Sequence, residues 1–442
     1  MSAETTDMTP YIHPSARRLP RRARHAAMLA LALPLALGAA ACSLDVTNPN
    51  AATEGEVLTT PAGLKAVTIG LQGRVGNAVE ESVWIPGLVS GELGNTNASQ
   101  STQREFQNFP TATANTAIEE TNPELLDLWA KWYEVVRSAD DILNNVDGVT
   151  LAPGTKSGMT ALAKTMKAIA FGTLIESFEQ IPLDASQPNP AFSPRADVLA
   201  RARELLASAR ADLDAQAPSD EFTSTLLSPG LDLPNTIRAL QARYALAAAD
   251  PEGALGFANE VPPTASSVIT YTSTDPNPLR GVIHALSYFA ALDSYRTNAE
   301  AGDLRVDRYT TDVTQSAFGG ATLVGVNVYR EQTDPIELFR QDELTLIRAE
   351  AHARAERLPD ARTAVNAVRT ANGLGEKDAT ALPDQAALLD EIYVQRTYSL
   401  YITGLHWADV RRFDRVATEA KVAWLPYPLS ERSTNTNTPP NP

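Results

Sequence analysis

Along much of this chain apolar residues return every three or four positions, the spacing that gives a helix one buried face. Over residues 58–80 they are Leu64, Val67, Leu71 and Val75, with Thr60 placed to cap the first turn. Leu125 to Val146 lines up Leu125, Leu128, Trp129, Trp132, Val136, Ala139 and Leu143 on one stripe, so both tryptophans read as core. Met159 to Phe178 is alanine-rich and apolar nearly all round, and Pro182 ends the turn after it. Asp197 to Gln216 turns Leu199, Ala202, Leu205, Leu206 and Leu213 inward. Ile237–Ala249 and Glu252–Glu260 read as a pair, as do Gln341–Glu356 and Asp360–Asn372, and Leu388–Tyr401 follows.

Two stretches break the helical rhythm. Residues 91–122 are rich in Asn, Thr, Ser and Gln, and read either as a functional loop or as a surface excursion. Residues 261–335 open with Pro262, Pro263, Pro276 and Pro278 and later alternate through 321–329 (ATLVGVNVY), which predicts a short strand. In 344–371 small residues fall where two helices would touch: Ala349, Ala353, Ala355, Ala361 and Ala364. That segment resembles a tetratricopeptide unit, and 237–260 is a looser version. The expected fold is mainly α: tetratricopeptide-like helix pairs with irregular, partly β insertions on one side.

The N-terminus follows other rules. Arg17, Arg18, Arg21, Arg22 and Arg24 precede an apolar run, Ala26 to Leu37, and small residues lead to Cys42. Charged, apolar, then small is the order of a secretory signal peptide, assigned to 1–41. The run is too short for a membrane span and holds Pro34. Cys42 is the single cysteine, which rules out an intrachain disulfide. Its setting resembles a bacterial lipobox, with Ala39 where leucine is usual. The expectation is acylation (palmitate) at Cys42 and a tether over 42–57; the alternative is an ordinary cleavage with an incidental thiol.

Charge narrows the partners. Without residues 1–41, which hold five Arg and two acids, 32 basic and 51 acidic residues remain, net −19. That balance repels phosphate backbones and anionic lipid, so no nucleic acid is expected; no later stretch reaches 18 apolar residues, so the lipid is the only membrane attachment expected.

Catalytic patterns are missing. The remaining histidines, His284, His352 and His406, form no H-E-x-x-H, and there is no nucleophile elbow, phosphate loop or dinucleotide fingerprint. No cofactor and no metal are expected, and no catalytic residue is assigned. Carboxylate pairs leave no local spacing signature, which keeps a glycosidase open. Arg348 and Glu350 read as a solvated helix face, and Asp409, Arg411 and Arg412 as a structural ion-pair cluster. Gly404 fits a helix end or tight turn. Aromatic faces suit sugar rings. The candidates outside strong helical stripes are Trp84, Tyr271, Tyr295, Tyr309 and Tyr329, with core packing as the alternative for each.

The C-terminal third then becomes recognisable. Residues 339–354 (FRQDELTLIRAEAHAR), 360–374 (DARTAVNAVRTANGL) and 394–413 (VQRTYSLYITGLHWADVRRF) resemble the SusD/RagB family of outer-membrane nutrient-binding lipoproteins. Arg340, Glu343, Ala349, Glu350, Ala351, Asn366, Val368, Arg369, Arg396, Leu400, Gly404, Trp407, Asp409, Arg411 and Arg412 stand where the family pattern has them. Gln395, Ser399, Thr403 and His406 depart from its Glu, Glu, Glu and Arg, which points to a rearranged charge network. SLDVTNPN after Cys42, Trp129…Trp132-Tyr133, 161–183 and 424–437 are similar to further family segments, with Glu179 where glycine is common.

The resemblance implies a single domain over 58–442, with a conserved-type helical motif over 339–442. It implies a lipid-anchored place at the outer membrane and a SusC-like TonB-dependent barrel as partner. It also implies an oligosaccharide ligand, or a peptide, held on the irregular side at 84–122 and 261–335. The motif residues are scaffold and leave the ligand open. The alternatives are a non-catalytic helical-repeat interaction module of the envelope and a secreted glycosidase.

Overall fold

A computed structural model describes residues 57–96, 101–108, 117–316 and 321–442. The signal-peptide stretch 1–41, Cys42 and the tether up to residue 56 lie outside the described residues, as do 97–100 and 109–116 of the polar loop.

Nine helices of ten or more residues carry the described part: α1 Pro61–Val89, α2 Pro123–Asn145, α3 Pro153–Ser177, α4 Arg195–Ala215, α5 Leu233–Ala247, α6 Pro251–Glu260, α7 Gln341–Arg354, α8 Leu358–Ala371 and α9 Gln385–Ser399. Proline stands in the first turn of most of them, where its missing N–H costs nothing. Thr60, Asn122, Asp232, Asp250 and Asp384 cap their helices with side-chain oxygens.

Each helix packs on the next, giving four successive pairs, α1/α2, α3/α4, α5/α6 and α7/α8, with α9 laid against the last. Small residues set the close approaches. Ala349, Ala353 and Ala361 are fully buried between α7 and α8. A Cβ on Gly172 of α3 would lie 2.1 Å from the Tyr244 hydroxyl of α5. The largest core side chains include Trp84, Trp132, Phe171, Phe178 and Trp407. Trp129, as expected, is also buried, edge-on to Phe178. No described helix is long and apolar enough to cross a membrane.

The chain leaves the stack after α6 and returns at α7, so 261–340 is an excursion between two packed helices. Strands β4 (Val268–Ile269) and β8 (Ile336–Glu337) pair antiparallel, Val268 opposite Glu337, and clasp its two ends. Within it β5 (Phe289–Leu292), β6 (Thr310–Ser316) and β7 (Thr322–Val326) join β1 (Leu93–Asn95) in a sheet of order β1-β5-β7-β6. The predicted strand in 321–329 is β7. A further hairpin pairs β2 (Gln180–Pro182) with β3 (Phe192–Pro194).

One boundary differs in a way that matters. The first helix runs on to Val89 through Pro86, well past residue 80. Pro86 has no amide to offer the Ser82 carbonyl. The backbone of Gly404, at φ +78°, packs against that carbonyl, and a Cβ there would come within 2.1 Å of it.

Candidate ligand-binding site

Where the clasped excursion meets α7, α8 and α9 the surface opens into a cleft of about 850 Å³. One wall comes from the excursion: Ser266, Arg308, Tyr309, Asn327, Tyr329 and Asp334. Glu337 and Arg340 stand at the excursion's returning end, and the other wall comes from the helix stack: Asp342, Asn372 and Ser399. No residue of 84–122 lines it, so of the two expected ligand-side segments only 261–335 contributes.

Arg340 is the fixed point of this cleft. Its Nη1 donates to the Ser399 carbonyl at 2.8 Å, the Tyr309 hydroxyl at 3.1 Å and the Tyr401 carbonyl at 3.2 Å. Its Nε donates to Glu337 Oε2 at 2.7 Å. The guanidinium carbon sits 5.2 Å from the centre of the Tyr309 ring, a cation–π contact. Asp342 Oδ2 accepts from Asn372 Nδ2 at 3.0 Å and from the Ser399 hydroxyl at 2.7 Å. Arg308 donates to Asn372 Oδ1 at 3.3 Å and otherwise faces solvent. Tyr329 adopts φ +56°, and its hydroxyl donates to the carbonyl of Ile402, itself at φ +53°. Two non-glycine residues in the left-handed region, one β-branched, mark stored strain beside the cleft.

The five aromatic candidates separate. Trp84 is 1% exposed, stacked on Phe289 at 4.9 Å and edge-on to Phe106. Tyr271 is buried and donates to the Gly76 carbonyl, pinning the excursion to α1. Tyr295 packs on Tyr401 with ring centres 3.8 Å apart and donates to the Tyr398 carbonyl. A sugar needs an uncovered ring face, and protein covers these three, so they are core. Trp84 falls outside the expected helical stripe only because α1 extends beyond residue 80. Tyr309 and Tyr329 are also mostly buried, but each lends an edge to the cleft wall. Arg308, Asn327, Asp334, Asp342 and Asn372 carry no signal in sequence, because they come together from separate elements.

The motif residues form a buried charge network. Arg412 and Arg354 both donate to Glu350, which is fully buried. This corrects the reading of Glu350 as a solvated surface charge. Burial alone would raise its carboxyl; Arg412, Arg396 and Arg354 overcome that and hold it at about 2. Arg348, paired with it in that reading, instead bridges α7 to α6 through the Ala258 carbonyl and Asn259. Arg396 Nε donates to Asp409 Oδ2 at 2.8 Å. Arg412 Nη2 also lies 2.8 Å from Asp409 Oδ1, at an angle too poor for a hydrogen bond. Arg411 reaches Glu176 at 2.8 Å and stacks on Trp407. Arg243 grips Glu343 at 2.6 and 2.7 Å, and Arg369 joins Glu300 to Glu391. The cluster of Asp409, Arg411 and Arg412 is thus structural, as expected. Asp409 and Arg412 border a second cavity of about 160 Å³ that shares Tyr329 and Glu337 with the cleft.

The departures from the motif have a local explanation. Arg305, fully buried, makes two hydrogen bonds of 2.8 and 2.7 Å to Asp303 and then donates to Gln395 Oε1 and Ser399 Oγ. With its charge already matched by Asp303, neutral acceptors suffice at 395 and 399. Thr403 donates to the Leu400 carbonyl, and His406 is buried, which lowers its imidazole.

Comparison with known proteins agrees with this architecture. Residues 322–440 match the SusD family. No curated protein matches the chain. A SusD superfamily protein from Bacteroides vulgatus superposes with a TM-score of 0.67 at 12% identity, over 86% of this chain and 98% of that one. NanU from B. fragilis gives 0.67 at 16%, over 89% and 99%. A SusD-like carbohydrate binding protein from Bacteroides vulgatus gives 0.62 at 17%, over 79% and 83%. At such identities the likeness to these structures is one of fold.

Proposed function

We propose, from the match of residues 322–440 to the SusD family and from the shared fold, that this chain is an outer-membrane lipoprotein of the SusD/RagB type, anchored through Cys42, that binds a nutrient and passes it to a TonB-dependent transporter. An oligosaccharide is the favoured ligand, a peptide the second. The observation that carries the reading is the cleft at the seam between excursion and helix stack. It is walled by tyrosine edges, amides, carboxylates and two arginines. Hydroxyl-rich ligands need such donors and acceptors held at fixed spacing. Arg340, tied to four protein acceptors, sets the spacing without being free to move.

A binding role is favoured over hydrolysis by the state of the cleft carboxylates. Glu337 is held by Arg340, and Asp342 by Asn372 and Ser399, so each is committed as an acceptor. The lipid anchor is supported by the lone cysteine after a short apolar run. The carbohydrate preference is supported by the description of the similar Bacteroides vulgatus protein as carbohydrate binding.

The test is a glycan and peptide array probed with the soluble chain lacking residues 1–41, followed by calorimetry on any hit. Binding of an oligosaccharide that Asn327→Ala and Arg308→Ala weaken is the expected result. Sustained product release without net binding would replace the proposal with the glycosidase.

A further inference from the structure

Away from the cleft, Glu81 near the end of α1 and Glu124 and Asp127 in the first turns of α2 converge. One carboxylate oxygen from each lies within 4.8 Å of the others. Lys131 answers only part of this charge, through Glu81 Oε1. Glu81 is 3% exposed, and its other oxygen, Oε2, has no hydrogen-bond partner among the described residues. A buried carboxylate oxygen without a donor is costly and calls for a missing positive partner.

We propose that Glu81, Glu124 and Asp127 form a binding site for a hard divalent cation, calcium before magnesium, with Glu81 Oε2 as its innermost ligand. Oxygens bound to calcium at about 2.4 Å can be separated by at most about 4.8 Å across the ion, and one oxygen from each of the three falls within that limit. The set holds no sulfur and no imidazole, so zinc and copper are disfavoured. Calcium tolerates irregular geometry, whereas magnesium demands a regular octahedron.

Glu80 and Lys131 also face this cluster. Glu80 adds a fourth carboxylate; burial first, then Glu81, lifts it to about 7 against the pull of Lys131. Burial also raises Glu81 and Glu124. A bound cation would share Glu81 with Lys131. It would also brace a loop, because Thr102 and Gln103 donate to Glu124 Oε1 at 3.5 and 3.3 Å. Sequence spacing holds no hint of the site, since the ligands lie on two helices far apart in the chain.

The site can be read directly. Terbium luminescence sensitised by Trp132, whose indole donates to Ser82 Oγ next to Glu81, reports occupancy in the unaltered protein. Terbium emission displaced by calcium, and a melting temperature about 2 °C or more higher in calcium than in EDTA, are expected. Asp127→Asn, at an exposed position, should abolish both effects and leave the melting temperature in EDTA unchanged. No luminescence in the unaltered protein, an equal calcium response in Asp127→Asn, or a larger response to magnesium would each overturn the assignment.

Discussion

Arg412 donates from Nε and Nη2 to the two carboxylate oxygens of Glu350, both at 2.9 Å, and so bolts the helix His406–Arg412 to the middle of α7. Because Glu350 is fully buried, the pair cannot be loosened into water. Removing one partner of a buried pair leaves an uncompensated charge. Arg412→Ala is expected to cost about 3–5 kcal/mol in urea unfolding. Glu350→Gln should also destabilise, because it takes from Arg412 and Arg354 the carboxylate that they share.

Acid and alkali should act on different carboxyls. Glu350 and Glu176 are held at about 2, Glu176 because Arg195 and Arg411 overcome its burial. Their contribution is present above the ordinary value of 4.5 and is lost as pH falls toward 2. Glu92 is the reverse case. Its carboxylate oxygens have no hydrogen bond of normal geometry, and burial lifts it to about 8, with the backbone at Ile402 opposing. Its neutral form is the one that fits, so stability is lost as pH rises from about 4.5 through 8. Unfolding at about pH 5 and about pH 9 should show a smaller alkaline loss in Glu92→Gln than in the unaltered chain.

Gly404→Ala should destabilise more than its one added methyl suggests. The position needs φ +78°, and the new Cβ would meet the Ser82 carbonyl at 2.1 Å. Left-handed strain alone is about 1 kcal/mol or more. A lowered melting temperature, with α1 displaced near Pro86, is the expected result.

Stability and binding should separate between aromatics and polar residues. Trp84→Ala and Tyr295→Ala remove core side chains and are expected to cost about 3–5 kcal/mol. Asn327→Ala and Arg308→Ala should leave the melting temperature nearly unchanged and weaken ligand binding about tenfold each, measured by calorimetry.

The periodicity of Leu125, Leu128, Trp129 and Trp132, and the alanines of α7 and α8, make the helix pairs legible in the sequence itself. Local spacing is a property of neighbouring residues, and a helix buries whatever falls on its inner face. The strand at 321–329 is readable for the same reason. Some of the charges are not. Glu350 has the sequence surroundings of a surface residue, and only the approach of Arg412 to α7 makes it internal. Trp84 and Tyr295 carry the right chemistry for a sugar, yet burial is decided by what packs on them from the excursion and from the segment after α9.

Taken alone, then, the sequence determined the helix pairs, their small-residue contacts and the motif residues of the C-terminal third. The tertiary structure decided which charges are buried and which tyrosines reach a cleft. It also decided that Arg308, Asn327, Asp342 and Asn372 share one wall space. The reason is range: helix formation needs information from residues a few positions apart, whereas the cleft exists only because β4 and β8 clasp the ends of an excursion about 80 residues long against the helix stack.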